Sequence, residues 1–166
     1  MRNGSRVFLV EVQALVAPTR YGTPQRVVQG VDSKQVALLA AILKRAGLDL
    51  AGCDVFVKVA GGGRLDDPAA DLALLVALAS SLRERAVPAG TLVLGEVGLT
   101  GSVRQATAEA ERLREAARHG FRRAVCAVAA GERPTVADGQ LAVISAVSVE
   151  EAVALALAPH ADRERG

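Results

Sequence analysis

The chain has 166 residues, 51% of them apolar, a formal net charge of +2, one Tyr, three Phe and no Trp. That length suits one domain burying roughly two-thirds of its unfolded surface around a core of Ala, Val and Leu. The small net charge does not announce a nucleic-acid binder, although it is compatible with a basic face balanced by acids elsewhere, and so few aromatic rings leave little for single-stranded bases to stack on.

Residues 1–5 read as a linker or cloning remnant. Arg6 to Val16 (RVFLVEVQALV) alternates, with Val10, Val12, Ala14 and Val16 on one face and Glu11 and Gln13 on the other, which predicts a half-buried strand. Ala17 to Pro24 reads as a turn, and Arg26 to Gln29 as a second strand pairing with the first. Asp32 followed by Gln35 resembles a capping box for an amphipathic helix carrying Val36, Leu39, Ile42, Leu43 and Ala46 and stopping at Gly47. Asp54 to Ala60 (DVFVKVA) is the next strand and ends in Gly61, Gly62 and Gly63.

Asp67 and Pro68 then start a helix, the first as cap and the second at the first helical position. Ala69 to Leu82 is apolar on nearly every side and therefore expected to be the buried central helix. Thr91 to Val97 and Leu99 to Arg104 read as strands broken by glycines, and Thr107 to His119 as a helix stopped by Gly120. Val125 to Ala129 and Leu141 to Val147 are further strands, and Ser148 with Glu151 caps a last helix ending near Leu157. Residues 159–166 read as a tail. The order β-β-α-β-α-β-β-α-β-β-α predicts a single α/β domain of mixed sheet and helix layers over residues 6–158.

Few residues suggest chemistry. Cys53 and Cys126 lack CxxC spacing and sit in or beside apolar runs, so free thiols in a reducing cytoplasm are expected, and His119 and His160 have no metal-ligand company. No secretory signal opens the chain, and the apolar helix is too short to span a membrane. Five cations, Arg20, Arg26, Lys34, Arg64 and Arg104, fall in turns, at strand ends or at a helix start, where they read either as phosphate contacts or as solvated surface charges. Lys34 opposes the helix dipole in a first turn, a small reason to look for a role outside folding. Arg112, Arg114, Arg118, Arg122 and Arg123, interleaved with Glu109, Glu111 and Glu115, read as a salt-bridged solvent face. The three glycines at 61–63 read as a close-packing device, because no Lys-Ser or Lys-Thr follows them.

Five runs together carry a family resemblance: LVEVQALV (9–16), DVFVKVAGG (54–62), DPAADL (67–72), GEVGLTGSV (95–103) and EAARHGF (115–121). The chain resembles the C-terminal Lon-like domain of the RadA (Sms) family of RecA-related bacterial DNA repair proteins. The resemblance implies the fold of the Lon protease proteolytic domain. Lon peptidases open the corresponding helix with Pro-Ser-Ala-Gly, whose serine is the nucleophile and has a lysine base. Here the serine position is Ala69 and the lysine position falls near Ala110, so the resemblance implies a pseudo-protease, because alanine has no oxygen with which to attack a carbonyl. Ser80 or Ser81 with Lys58 is the substitute pair that a residual serine peptidase would need.

Members of that family carry a Cys-rich zinc motif and an ATPase core with a phosphate loop. Neither motif is in this sequence, so ATP, Mg and Zn are expected only in a longer parent, which the resemblance makes a cytoplasmic ATP-dependent helicase acting in branch migration. For this segment the resemblance implies DNA as partner, a homo-hexameric ring and no membrane. An assembly-only scaffold that touches no DNA is the alternative.

Overall fold

Alternating β-branched residues build the first sheet. In the computed structural model, which describes residues 1–3, 6–128 and 141–159, Val12–Pro18 (β3) pairs antiparallel with Cys53–Val59 (β5), and Arg26–Gln29 (β4) pairs parallel with the other side of β5. The register sets Val12, Ala14 and Val16 beside Val59, Val57 and Val55 on the inner face. Gln13 faces Lys58 and Leu15 faces Phe56 on the outer one. Upstream, Arg2–Asn3 (β1) and Arg6–Val7 (β2) form a two-residue ladder, so part of the expected linker is paired strand. The long first strand expected from Arg6 thus begins at Val12, since its partner β5 ends at Val59, and beyond that register the Ala60 N–H still donates to the Glu11 carbonyl at 3.0 Å.

Ser33–Arg45 forms α1 and is capped by the Asp32 carboxylate, which accepts the Lys34 N–H at 2.9 Å. Gln35 does not complete the capping box. Its amide donates instead to the Asp71 carboxylate, tying the opening of α1 to that of the central helix. That helix begins with one 3₁₀ turn, Pro68–Ala70, and continues as α2, Asp71–Leu82, with Leu72, Leu74, Leu75, Val76, Leu78 and Ala79 all buried. It packs against β3, α1 and, on its far side, Val149–Leu157 (α4), as its all-round hydrophobicity requires. Each fully buried leucine contributes about 1.5–3 kcal/mol relative to exposure.

A second sheet, wholly parallel, has the order β10-β9-β6: Ala142–Ser145 (β10), Arg123–Cys126 (β9) and Thr91–Val93 (β6). Glu96–Val97 (β7) and Val103–Arg104 (β8) form an antiparallel pair. The strand expected over Thr91 to Val97 is split because Gly95 turns to the opening of α2, donating to the Ala69 carbonyl at 2.9 Å and accepting the Leu72 N–H at 3.2 Å. The third helix starts at Glu109 instead of Thr107 (α3, Glu109–Arg118), because Ala108 is left-handed at φ 56°. Glu109 turns inward and accepts the Ala106 N–H at 3.2 Å. The last helix has its Ser148 cap, and Glu151 accepts the Val147 N–H at 2.9 Å. Ala129, the last residue of the strand expected from Val125, and the tail beyond Pro159 with His160, lie outside the described residues.

The main core joins Leu39 and Leu43 of α1, Leu72, Leu75 and Leu78 of α2, Val55 and Val57 of β5 and Val149 and Val153 of α4. A smaller cluster holds Ala69, Leu94, Leu113, Ala116, Ala124, Cys126 and Leu141. Cys53 and Cys126 are free thiols, and burial, with Glu109 nearby, pushes Cys126 up to about 12.

Candidate nucleic-acid interface

Two ends of β5 carry the five cations singled out in the sequence. At the Val59 end, Gly30 is pressed against the glycine loop: Leu65 donates to the Gly30 carbonyl at 2.7 Å, and a Cβ on Gly30 would stand 2.6 Å from the Gly63 oxygen. This close approach brings the start of α1 beside Arg64. The start of α1 is in turn bonded through Gln35 to Asp71 at the start of α2, and Asp71 also accepts the Val97 N–H of β7. Arg104, paired with Glu96 across that hairpin, lies over Gly98, its guanidinium 3.4 Å from where a Cβ would be. Lys34, Arg64 and Arg104 are therefore gathered at one end of the molecule, all exposed, and none makes an ion pair within 4 Å among the described residues, although Glu96 stands across the ladder from Arg104.

Arg20 and Arg26 sit at the opposite, Cys53 end. Arg26 is committed to the fold, since its guanidinium donates to the Cys53 carbonyl and, at 3.1 Å, to the Leu50 carbonyl. Arg20 is exposed in the loop 19–25. Asp54 closes that loop by accepting the Gln25 N–H at 2.9 Å and the Thr19 hydroxyl at 2.8 Å, and these bonds hold its carboxyl below the usual carboxylate range.

The opening of α2 is built differently. Ala69 is 2% exposed, and its N–H donates to Asp67 Oδ1 at 3.1 Å. The same carboxylate takes both terminal nitrogens of Arg112, at 2.8 and 3.3 Å, while Arg112 Nε reaches the Thr107 carbonyl at 2.8 Å. Beside this pair is a cavity of about 60 Å³ lined by Phe8, Val10, Leu65, Ala69 and Ala73 among others, and also by Arg112 and by Met1, whose α-amino group is 3.9 Å from Asp67 Oδ2. Ala110, the other position singled out, is exposed on α3. Asp71, two residues after Ala69, is pushed above the usual carboxylate range by burial, against the opposing bond from Gln35.

The substitute pair is not assembled. Ser81 accepts the Val16 N–H at 2.8 Å and Ser80 donates to the Arg85 carbonyl at 2.6 Å, whereas Lys58 lies on the sheet face turned away from α2. The arginine-rich stretch read as a solvent face is only half so. Glu115 pairs outside with Arg118 and His119, but Arg112 is 5% exposed and Arg123 is 7% exposed, the latter donating to the Leu155 and Ala158 carbonyls at the end of α4. The signal was present in α3, where Glu109, Arg112, Leu113 and Ala116 fall at i, i+3, i+4 and i+7, one helix face. Tyr21, read only as part of a turn, is the most exposed large apolar side chain described, at 91%.

Among the described residues no group of three or more His, Cys, Asp and Glu could hold a metal ion, and no helix is long and apolar enough to cross a membrane. No family model matches the chain. Its curated relatives carry the name of a class of DNA repair protein. It is 43% identical over 155 residues, 93% of its length, to a protein of Bacillus subtilis (strain 168), and 46% identical over 151 residues, 90% of its length, to one of Pseudomonas aeruginosa. It is 49% identical over 123 residues, 74% of its length, to one of Escherichia coli (strain K12). All three are named DNA repair protein RadA, and the chain is a RadA-related segment that spans 34%, 33% and 27% of their respective lengths.

Proposed function

We propose that this segment is the non-proteolytic, Lon-like domain of a RadA-type DNA recombination and repair protein, which contributes sequence-independent DNA binding and hexameric ring assembly. The parent is a cytoplasmic helicase that drives branch migration, and ATP, Mg and Zn belong to its other parts. The observation that carries the DNA-binding reading is the end of the molecule where Lys34, Arg64 and Arg104 converge exposed and without an ion pair within 4 Å among the described residues. Cations on exposed backbone turns suit phosphates, whose contacts fix position without reading sequence. The non-proteolytic reading is supported by Ala69, whose side chain has no oxygen with which to attack a carbonyl, and by a neighbouring cavity lined mainly by apolar side chains.

The test is duplex affinity by fluorescence anisotropy for Lys34→Ala, Arg64→Ala and Arg104→Ala, with Arg122→Ala as a control on another surface. Each of the three is expected to weaken binding severalfold while the control does not. Equal affinity in all four would remove the assignment. Labelling by a serine-directed phosphonate would overturn the non-proteolytic reading.

A second reading, assembly without DNA contact, is favoured by the outer face of the first sheet, where Leu15 and Val27 stand exposed beside Phe56. Sedimentation of the chain as a ring, combined with no DNA binding at low salt, would select it.

A further inference from the structure

The loop between β3 and β4 is fixed at its base and bare at its tip. Asp54 Oδ1 receives the Thr19 hydroxyl at 2.8 Å and the Gln25 N–H at 2.9 Å, and the Thr19 N–H donates to the Gly52 carbonyl at 2.8 Å. Gly22, at φ +76°, makes the bend that an L side chain rarely adopts. Between these anchors Tyr21 is 91% exposed, against 43% for Phe8, the most exposed phenylalanine described. A bare tyrosine ring sacrifices the burial that makes aromatic side chains useful to a core, and here the loop around it is held in place.

Its neighbours indicate what it fits. Arg20 is exposed with no acidic partner among the described residues, and the rest of the loop tip, Gly22 to Gln25, carries no large apolar side chain. A protein-docking patch would surround the ring with further apolar area. A ring beside one free cation is instead the pairing used on single strands, the π-face taking a base and the cation the adjoining phosphate.

We propose that Tyr21 is a stacking platform for an unpaired base, with Arg20 holding the neighbouring phosphate, so that this loop recognises single-stranded DNA. In a duplex the base faces are already stacked on one another, and the ring has nothing to cover. The loop lies at the end of the seven-residue β5 opposite Lys34, Arg64 and Arg104, roughly 20 Å away at the rise of a strand. The assignment rests on the reading that this domain touches DNA, and it adds strand discrimination to that reading.

The chain contains one Tyr and no Trp, so its intrinsic emission comes from Tyr21 alone. Oligo(dT) is titrated into the 166-residue chain with emission and anisotropy followed together and the emission corrected for absorption by the oligonucleotide. Affinities for oligo(dT) and for duplex are then measured for Tyr21→Ala and Tyr21→Phe. The expected result is quenching by oligo(dT) and not by duplex, about tenfold weaker single-strand binding for Tyr21→Ala, near-normal binding for Tyr21→Phe, and unchanged duplex affinity. Oligo(dT) binding that leaves the emission unchanged and is indifferent to Tyr21→Ala overturns the stacking assignment alone. Absence of binding to either DNA by the unaltered chain overturns the DNA-binding reading together with it.

Discussion

Two aspartates, Asp67 and Asp54, each gather hydrogen bonds at the mouth of a turn, with opposite results. Asp67 accepts the Ala69 N–H and the buried Arg112 guanidinium, and the turn it makes is sealed into the interior. Asp54 accepts the Thr19 hydroxyl and the Gln25 N–H, and the loop it makes is pinned at the base with Arg20 and Tyr21 outside. The first region keeps the geometry of a helix opening, a capped N-terminus beside a cavity, but Ala69 puts no oxygen into that cavity. In the second, Arg20 and Tyr21 are displayed to solvent above a partly buried base. The contrast separates two uses of one interaction. A buried charge pair makes the fold depend on it, whereas an exposed clamp holds a surface in position at little cost to stability.

The comparison is broken most severely at Arg112. Arg112→Met removes the buried guanidinium from the Asp67 carboxylate and should cost about 3–5 kcal/mol in chemical denaturation. Adding Asp67→Asn, which keeps the cap acceptor and removes the charge, should recover part of that loss. A double variant as unstable as the sum of its parts would show that the pair is not coupled. Next in size is Gly30→Ala, where the new Cβ would meet the Gly63 oxygen at 2.6 Å with φ at +79°. A loss of about 2 kcal/mol is expected, along with weaker DNA binding because the Arg64 loop is displaced, and unchanged stability would contradict the close approach described above.

Smaller still is Asp54→Asn, which leaves the melting curve nearly unchanged at neutral pH and lowers single-strand affinity less than Tyr21→Ala does. Native stability from Asp54 is present above its unfolded pKa and is lost as pH falls through its depressed folded value, so the variant and the parent should converge in acid. Asp71 has the opposite sign. Its folded pKa is raised, the folded state binds more protons across that interval, and stability declines as pH rises through it. Asp71→Asn should therefore gain slightly on the parent at neutral pH and lose that advantage near pH 4, as read by thermal melts across the acid range.

Periodicity and capping residues made much of the fold legible. The apolar run after Pro68 announced a central helix, and Asp32 and Ser148 marked helix starts that the structure bears out. Boundaries set by tertiary bonds were not legible. Gly95 ends a strand early because it bonds to Ala69, and Gln35 leaves its own cap for Asp71, both partners distant in sequence. The sites divided in the same way. Ala69 could be read directly, because a missing oxygen is a property of one residue. Arg26 looked like a phosphate contact from its place at a strand start, yet its donors are committed to the Leu50 and Cys53 carbonyls, an allocation that depends on how β4 lies against β5. Tyr21 went unremarked because a lone ring in a turn reads the same whether it folds inward or outward.

The central claim is that the end bearing Lys34, Arg64 and Arg104 binds DNA through its phosphates. The direct measurement is the slope of log affinity against log salt for duplex DNA, compared between the unaltered chain and the triple variant Lys34→Ala, Arg64→Ala, Arg104→Ala. A steep slope that falls by about three units in the triple variant, roughly 0.9 for each lost phosphate contact, is the predicted result. A slope unchanged by removing all three charges would contradict it.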